Sequence, residues 1–165
     1  MRSLRIVGTI VLLFASSTVF AQSDAKNTFE RLQSLNGTWE GKTREGAPLK
    51  VTFRTVSGGS AVLSEIMGEE NMVTMFHIDN DRVLATHYCA AGNQPRMQAS
   101  LSADGKTITF SFVDATNLAT PKAGHMDHLV ITIPDAGHHS EEWTFVQDGK
   151  RTTERFEMAR AKASM

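Results

Sequence analysis

The chain has 165 residues, 41% of them hydrophobic, with 17 Lys or Arg, 18 Asp or Glu and a formal net charge of −1. This composition suits one domain with a real core, and it excludes the broad basic surface that nucleic acids and anionic membranes require. A single cysteine, Cys89, excludes an internal disulfide.

The first 21 residues have the pattern of a secretory signal peptide. Arg2 and Arg5 precede an apolar run (residues 6–20), and a small-x-small cleavage motif ends at Ala21. A retained membrane anchor is the alternative, but polar residues interrupt the run, which is shorter than the ~20 apolar residues of a span. We therefore expect an exported protein, periplasmic or secreted, with no transmembrane segment after cleavage. Losing the two arginines shifts the net charge of the mature chain, residues 22–165, from −1 to −3.

The mature chain begins with one helix and continues as strands. Phe29, Leu32 and Leu35 stand at helical spacing and predict a short helix over about residues 28–35, capped by Asn27 or Thr28. The apolar period then changes to two, and turns rich in Gly, Asp and Asn divide the rest of the chain. Strands are predicted near residues 37–45, 49–56, 60–66, 72–78, 82–89, 95–101, 107–113, 126–133, 139–147 and 150–159.

This order of elements predicts an all-β fold. Ten short strands without a crossover helix form an antiparallel meander, and closure removes its two exposed edges. We therefore predict an up-and-down antiparallel β-barrel as a single domain over residues 22–165, with the N-terminal helix at its closed end. A two-sheet sandwich is the alternative, although its links are usually longer than most of those found here.

The connections of such a barrel fall alternately at its two ends. The longer ones, residues 44–48, 67–71, 90–94 and 114–125, would share one end, and the tight turns would share the other, except that the short connection 148–149 falls on the side of the longer ones. This distribution of long and short connections predicts an open mouth at one end of the barrel and, at the other end, a base that the helix closes. Ligands enter barrels through the mouth, so the mouth is where we place a binding site.

The segment LNGTWEGK (residues 35–42) stands between the helix and the first strand, and it resembles the Gly-x-Trp start of the calycin group. That group includes lipocalins, fatty-acid-binding proteins and nitrobindin-like barrels, and the chain is also similar to exported bacterial lipocalin-like proteins without an assigned function. The resemblance implies a barrel that holds a small hydrophobic molecule. It also implies that Trp39 packs against a basic residue of the last strand, Arg155 or Arg160.

Nitrobindin-like proteins hold haem through a histidine near the C terminus, and the absence of histidine after His139 counts against haem.

Ten polar or sulfur-bearing side chains are the candidates for the ligand-binding rim. They are His77, His87, Cys89, Asn93, Gln94, Arg96, Asp114, Asn117, His125 and His128. Arg96, with Asn93 and Gln94, would suit the carboxylate or another polar head of a small amphiphile. A surface salt bridge is the alternative role for Arg96.

Strand alternation supplies the apolar lining of the interior. The predicted set is Val51, Phe53, Val62, Met75, Leu84, Ile108, Phe110, Phe112, Met126, Val130, Trp143, Phe145 and Phe156. These side chains either fill the barrel or surround a cavity. Wide barrels tend to enclose cavities, which favours the second arrangement for ten strands.

No catalytic constellation is found. His87 and Cys89 share one face of a strand with Cα atoms about 6.7 Å apart, and side chains leaning the same way seldom close to a catalytic dyad. The adjacent carboxylates at residues 69–70 and 141–142 diverge on an extended chain, so no acid–base pair is predicted.

The sequence therefore favours an exported barrel that binds a small hydrophobic or amphiphilic molecule without catalysis and without a cofactor. Two alternatives remain open. One is a metal or haem site built on His87, Cys89 and another histidine. The other is a filled barrel that binds a protein partner of the cell envelope.

Overall fold

The computed structural model describes residues 15–162, with side chains from residue 24 onward, and shows a closed antiparallel barrel of ten strands. Most of the signal peptide predicted over residues 1–21 lies outside these described residues, so cleavage after Ala21 stays a prediction. Among the described residues, no helix is long and apolar enough to cross a membrane.

One helix precedes the barrel. Helix α1 spans Ala15–Gln33, so it begins earlier than predicted and ends two residues sooner. The segment before Thr28 contains Ala, Gln and Lys, which favour helix, so the helix extends beyond the apolar spacing that marked its predicted start. Thr28 therefore lies inside the helix instead of capping it, and its hydroxyl donates a hydrogen bond to the Asp24 carbonyl (2.7 Å).

The strands agree closely with the predicted ones. They are β1 (Gly37–Lys42), β2 (Pro48–Val56), β3 (Ala61–Met67), β4 (Asn71–Asp79), β5 (Arg82–Tyr88), β6 (Gln94–Leu101), β7 (Thr107–Thr116), β8 (His125–Thr132), β9 (His138–Gln147) and β10 (Lys150–Arg160). Each strand pairs with the next one in the chain, and β10 pairs with β1. The up-and-down barrel is confirmed, and the two-sheet sandwich is wrong.

The two ends of the barrel differ less in loop length than the sequence suggested. The longest connection, residues 117–124, does lie at the mouth, but the base also carries connections such as 102–106 and 133–137. The last mouth connection, residues 148–149, is a tight hairpin. The difference between the ends comes instead from α1, which covers only the base.

Helix α1 closes the base by fastening to opposite parts of its rim. The Gln33 amide donates to the Gly59 carbonyl (3.2 Å), and the Arg31 guanidinium donates to the Ile133 carbonyl (3.2 Å). Leu32 in the helix and Leu35, two residues after its end, point into the barrel and are completely buried. The predicted plug is therefore present.

The lower part of the barrel is filled with side chains. Its largest fully buried residues include Trp39, Phe53, Phe76, Phe110 and Met97, and they belong to one continuous cluster that also contains the apolar face of α1. Among the described residues, the barrel is thus packed with side chains from the base upward.

Three residues predicted to face the interior point to the outer face of the barrel wall, where Leu84 is nevertheless buried. Met75, Leu84 and Val130 are each flanked on both sides by buried strand neighbours, so alternation turns them outward. In β4 the inward positions next to Met75 include the polar residue Thr74, which a purely apolar criterion assigns to solvent. The other predicted lining residues face inward.

Candidate ligand-binding site

A cavity of about 520 Å³ opens at the mouth of the barrel, above the packed core. It has the size of a small-molecule site, since such pockets run from roughly 300 to 1,000 Å³. Strands β3, β4, β8, β9 and β10 and two mouth loops contribute its lining, which is mainly apolar. The lining residues are Ile66, Glu70, Met72, Cys89, Ala90, Ala91, Met126, Trp143, Phe145, Thr152, Glu154 and Phe156.

Aromatic side chains form the floor and one wall of this cavity. Trp143 and Phe156 are almost fully buried, and they separate the open space from the core below. The Trp143 indole N–H donates to a carboxylate oxygen of Glu141 (2.9 Å), which fixes the orientation of the ring. Met72 and Met126 line the walls, and flexible thioethers adapt to ligands of different shape.

Two carboxylates are the only charged groups in the lining. Glu70 belongs to the loop between β3 and β4, and Glu154 belongs to β10, where its strand partner is Trp143. Both side chains are exposed, and neither makes an ion pair within residues 24–162. The cavity therefore carries negative charge at its rim and no compensating positive charge.

Cys89 borders the cavity but is not activated. Burial raises the pKa of its thiol, the hydrogen bond with the backbone of Ala91 lowers it, and the nearby carboxylate of Glu70 raises it. The thiol is thus held in its protonated form near neutral pH, which is the poor nucleophile of the two. Among the described residues, no hydrogen bond joins Cys89 to His87.

His87 lies beneath the floor and is completely buried. Its ring centre is 4.8 Å from that of Trp143, and its Nδ1 atom is 2.9 Å from the hydroxyl oxygen of Thr74. Burial lowers the pKa of His87 from 6.5 to about 4, so the imidazole is neutral at physiological pH. Its Nε2 atom has no hydrogen-bond partner within the described part of the chain.

A second buried polar group was missed at the sequence level. His139, Glu141 and Trp143 stand two residues apart on the inner face of β9, and Glu141 joins the other two by hydrogen bonds (3.1 and 2.9 Å). The His139 ring also packs edge-on against Trp39, with ring centres 4.4 Å apart. The signal was available, because an inward Trp143 requires Glu141 and His139 to point inward as well.

Of the ten predicted rim residues, only Cys89 lines the cavity. Arg96 lies on the outer face, where its guanidinium forms a bidentate ion pair with Asp114. The surface salt bridge is therefore the observed contact of Arg96, and its side chain does not line the mouth cavity. His77 and His128 also lie on the outer faces of their strands, since the adjacent residues along each strand, Phe76 and Leu129, point inward and are buried.

The remaining predicted rim residues fasten mouth loops to one another. The Asn93 amide donates to the Gly124 carbonyl (2.8 Å), and the Asn117 amide donates to the Gly92 carbonyl (2.6 Å). Gln94 accepts a hydrogen bond from the Thr116 hydroxyl (2.7 Å). His125 donates to the Ala123 carbonyl (2.8 Å) and packs against Phe112, with ring centres 4.7 Å apart. These contacts hold the rim in shape, and none of these side chains faces the cavity.

The structure shows no ready metal centre. Within the part of the chain that it describes, no group of three or more His, Cys, Asp or Glu side chains is placed to hold a metal ion. A larger groove, of about 880 Å³, lies outside the barrel between α1 and the base. It is bordered by more polar groups than the mouth cavity.

No protein-family model and no curated protein matches the sequence. Among solved structures, the fold is similar to a protein of unknown function of the DUF3598 family from Nostoc punctiforme, with a TM-score of 0.54 and 11% identity. The match covers 79% of this chain and 49% of the Nostoc protein, so this chain spans about half of that protein's length. The fold is also similar to Rv2717c from M. tuberculosis, with a TM-score of 0.54, 15% identity and coverage of 82% and 98% of the two chains. At these identities the similarity is one of fold.

Proposed function

We propose that this protein is an exported, calycin-like barrel that binds a small hydrophobic or amphiphilic molecule in its mouth cavity and does not transform it. The observation that carries the proposal is the apolar cavity of about 520 Å³ above a solid core. A filled barrel would need no such space, and the Gly-x-Trp segment at residues 35–42 agrees with a family of small-molecule carriers.

The lining supports binding energetically. Burying about 200 Å² of ligand surface against apolar walls is worth roughly 5 kcal/mol before the entropic costs of association are subtracted. The rigid floor of Trp143 and Phe156 limits those costs, because its rings are already ordered. Since 5 kcal/mol corresponds to a dissociation constant of about 0.2 mM, weak binding, at about 0.2 mM or above, is expected for an apolar ligand that buries this area.

The surrounding chemistry supports binding without catalysis. The Cys89 thiol is protonated, His87 is shut beneath the floor, and Glu141 is engaged by two hydrogen-bond donors. A catalytic base or nucleophile must reach the substrate, and none of these groups combines access with activation.

The test is the displacement of a neutral fluorescent probe, N-phenyl-1-naphthylamine, combined with native mass spectrometry of protein purified from its own host. Met72 and Met75 offer a matched pair, because both are half-buried on β4 and point to opposite faces. Met72→Trp places a bulky ring in the wall of the cavity and should weaken probe binding, whereas Met75→Trp on the outer face should retain it. Equal binding by the two variants, or no probe binding by the wild-type protein, would overturn the proposal.

Export is a separate part of the proposal and rests on the leader sequence. The mature protein should begin at Gln22 and lie in the periplasm or the medium. The intact mass of the protein from its own host tests this directly, because cleavage after Ala21 removes the mass of the first 21 residues. An intact N terminus would remove the export proposal and leave the cavity proposal standing.

A further inference from the structure

The lining of the mouth cavity is negatively charged, and the proposed function gives no role to this charge. Its twelve lining residues include two carboxylates, and they include no Lys, Arg or His. The arginine expected to receive an anionic head, Arg96, is on the outside of the barrel and is held by Asp114. An anionic ligand would therefore find no positive partner and would be repelled at the rim.

The two carboxylates approach the cavity from different walls. Glu154 stands on β10 directly across from Trp143 of β9, so it reaches the cavity beside the indole of the floor. Glu70 belongs to the loop between β3 and β4 and lies close enough to Cys89 to affect that thiol electrostatically. In the closed barrel, β10 is separated from β3 by β1 and β2. A ligand in the cavity is thus flanked by carboxylates from separated elements.

The aromatic rings of the cavity also favour a positively charged ligand. The faces of Trp143, Phe145 and Phe156 carry partial negative charge, and they attract an organic cation within about 6 Å of the ring centre. The apolar walls remain available to the rest of such a ligand, with Met72 and Met126 adapting to its shape. A carboxylate beside an aromatic floor is a suitable environment for an ammonium group attached to an apolar body.

We infer that the mouth cavity selects cationic amphiphiles, that is, small molecules with an apolar body and a protonated or quaternary amine, over neutral and anionic molecules of the same shape. The inference rests on the proposed function, because it names the ligand class of the same cavity. The ammonium group lies between Glu70 and Glu154, and the apolar body lies over the aromatic floor.

A series of probes with one tail tests the inference. Decylamine, decanol and decanoate differ only in the head group, and each is used to displace N-phenyl-1-naphthylamine at pH 7. Decylamine should displace the probe at about tenfold lower concentration than decanol, and decanoate should be the weakest of the three. The advantage of decylamine over decanol should shrink as salt is raised, because the carboxylates are exposed to solvent.

Variants that remove only the charges of Glu70 and Glu154 test whether these two residues cause the preference for decylamine. The double variant Glu70→Gln/Glu154→Gln keeps the shape of the lining and should bring the affinity for decylamine to that for decanol. Glu157→Gln is the matched control, since Glu157 is on β10 but is exposed on the outer face, where it accepts a hydrogen bond from Arg155. It should leave the preference for decylamine unchanged.

The possible failures are distinct. Equal displacement by the three probes would overturn the inference and leave binding of apolar ligands in place. A preference for decylamine that persists in the double variant would overturn the assigned site. Failure of every probe to bind would overturn the proposed function together with the inference.

Discussion

His139 and Glu141 form a buried pair inside the barrel, with Nε2 of the histidine 3.1 Å from Oε1 of the carboxylate and with side chains 0% and 1% exposed. The second carboxylate oxygen accepts the indole N–H of Trp143. This single side chain therefore links the packing around Trp39 at the base to the floor of the mouth cavity. The network supports the site from below.

Removing the carboxylate should destabilise the fold. Glu141→Leu leaves the N–H groups of His139 and Trp143 buried without an acceptor, and such a loss costs about 3 kcal/mol. Glu141→Gln keeps an amide oxygen as an acceptor and should cost less. Glu142→Leu is the control, because Glu142 faces outward and pairs with Arg155 only loosely (3.8 Å). Urea unfolding measures the effect, and a Glu141→Leu variant as stable as the control would contradict it.

This network also marks the limit of the sequence analysis. The ten strands, their antiparallel order and the plug followed from apolar alternation and turn residues, because those patterns are local. The site depends on which face of each strand turns inward. Thr74, His87 and Glu141 are polar but point inward, so a prediction that places polar residues in solvent assigns the wrong face to them. The predicted position of Arg96 at the rim was wrong for a related reason. Arg96 stands one residue from the buried Met97, so the period of two sends it outside the barrel.

The acid sensitivity of the fold should depend on His87. Burial lowers its pKa to about 4, whereas in the unfolded chain it titrates near 6.5. Between these values the unfolded state binds the proton and the native state does not, so stability falls as the pH falls through this window. The full loss of stability is about 3 kcal/mol. It is complete only well below the folded-state pKa of about 4, where both states are protonated.

His87→Phe tests this assignment. The variant keeps a ring against Trp143 and removes the titrating group. The free energy of unfolding, measured by urea at intervals from pH 7 to pH 4, should fall less steeply with acid than in the wild-type protein. Parallel curves for the two proteins would show that His87 is not responsible.

The seam between β1 and β10 closes the barrel, and Gly41 is its tightest point. A Cβ atom at this position would lie 2.5 Å from the Glu157 carbonyl oxygen and 2.6 Å from the Met158 sulfur. The oxygen belongs to the backbone and cannot turn away, so Gly41→Ala should separate the strands and cost about 2 kcal/mol. Gly68→Ala is the control, because its added Cβ meets only the end of the Leu49 side chain (3.2 Å). Thermal unfolding should show a clear loss for the first variant and a small change for the second.

Arg160 holds the base of the barrel together through contacts that a lysine cannot make. Its guanidinium lies over the Trp39 ring, 4.1 Å from the ring centre, as the calycin resemblance implied for Arg155 or Arg160. It also donates to the carbonyls of Ser34, Asn36 and Ala136, which belong to the helix exit and to a base connection. Lysine keeps the charge but lacks the planar fork, so Arg160→Lys should cost about 1–2 kcal/mol and loosen the plug. Arg155→Lys on the outer face should have little effect. Hydrogen exchange in α1 measures the loosening, and equal protection of α1 in the two variants would mean that Arg160 acts as a surface charge alone.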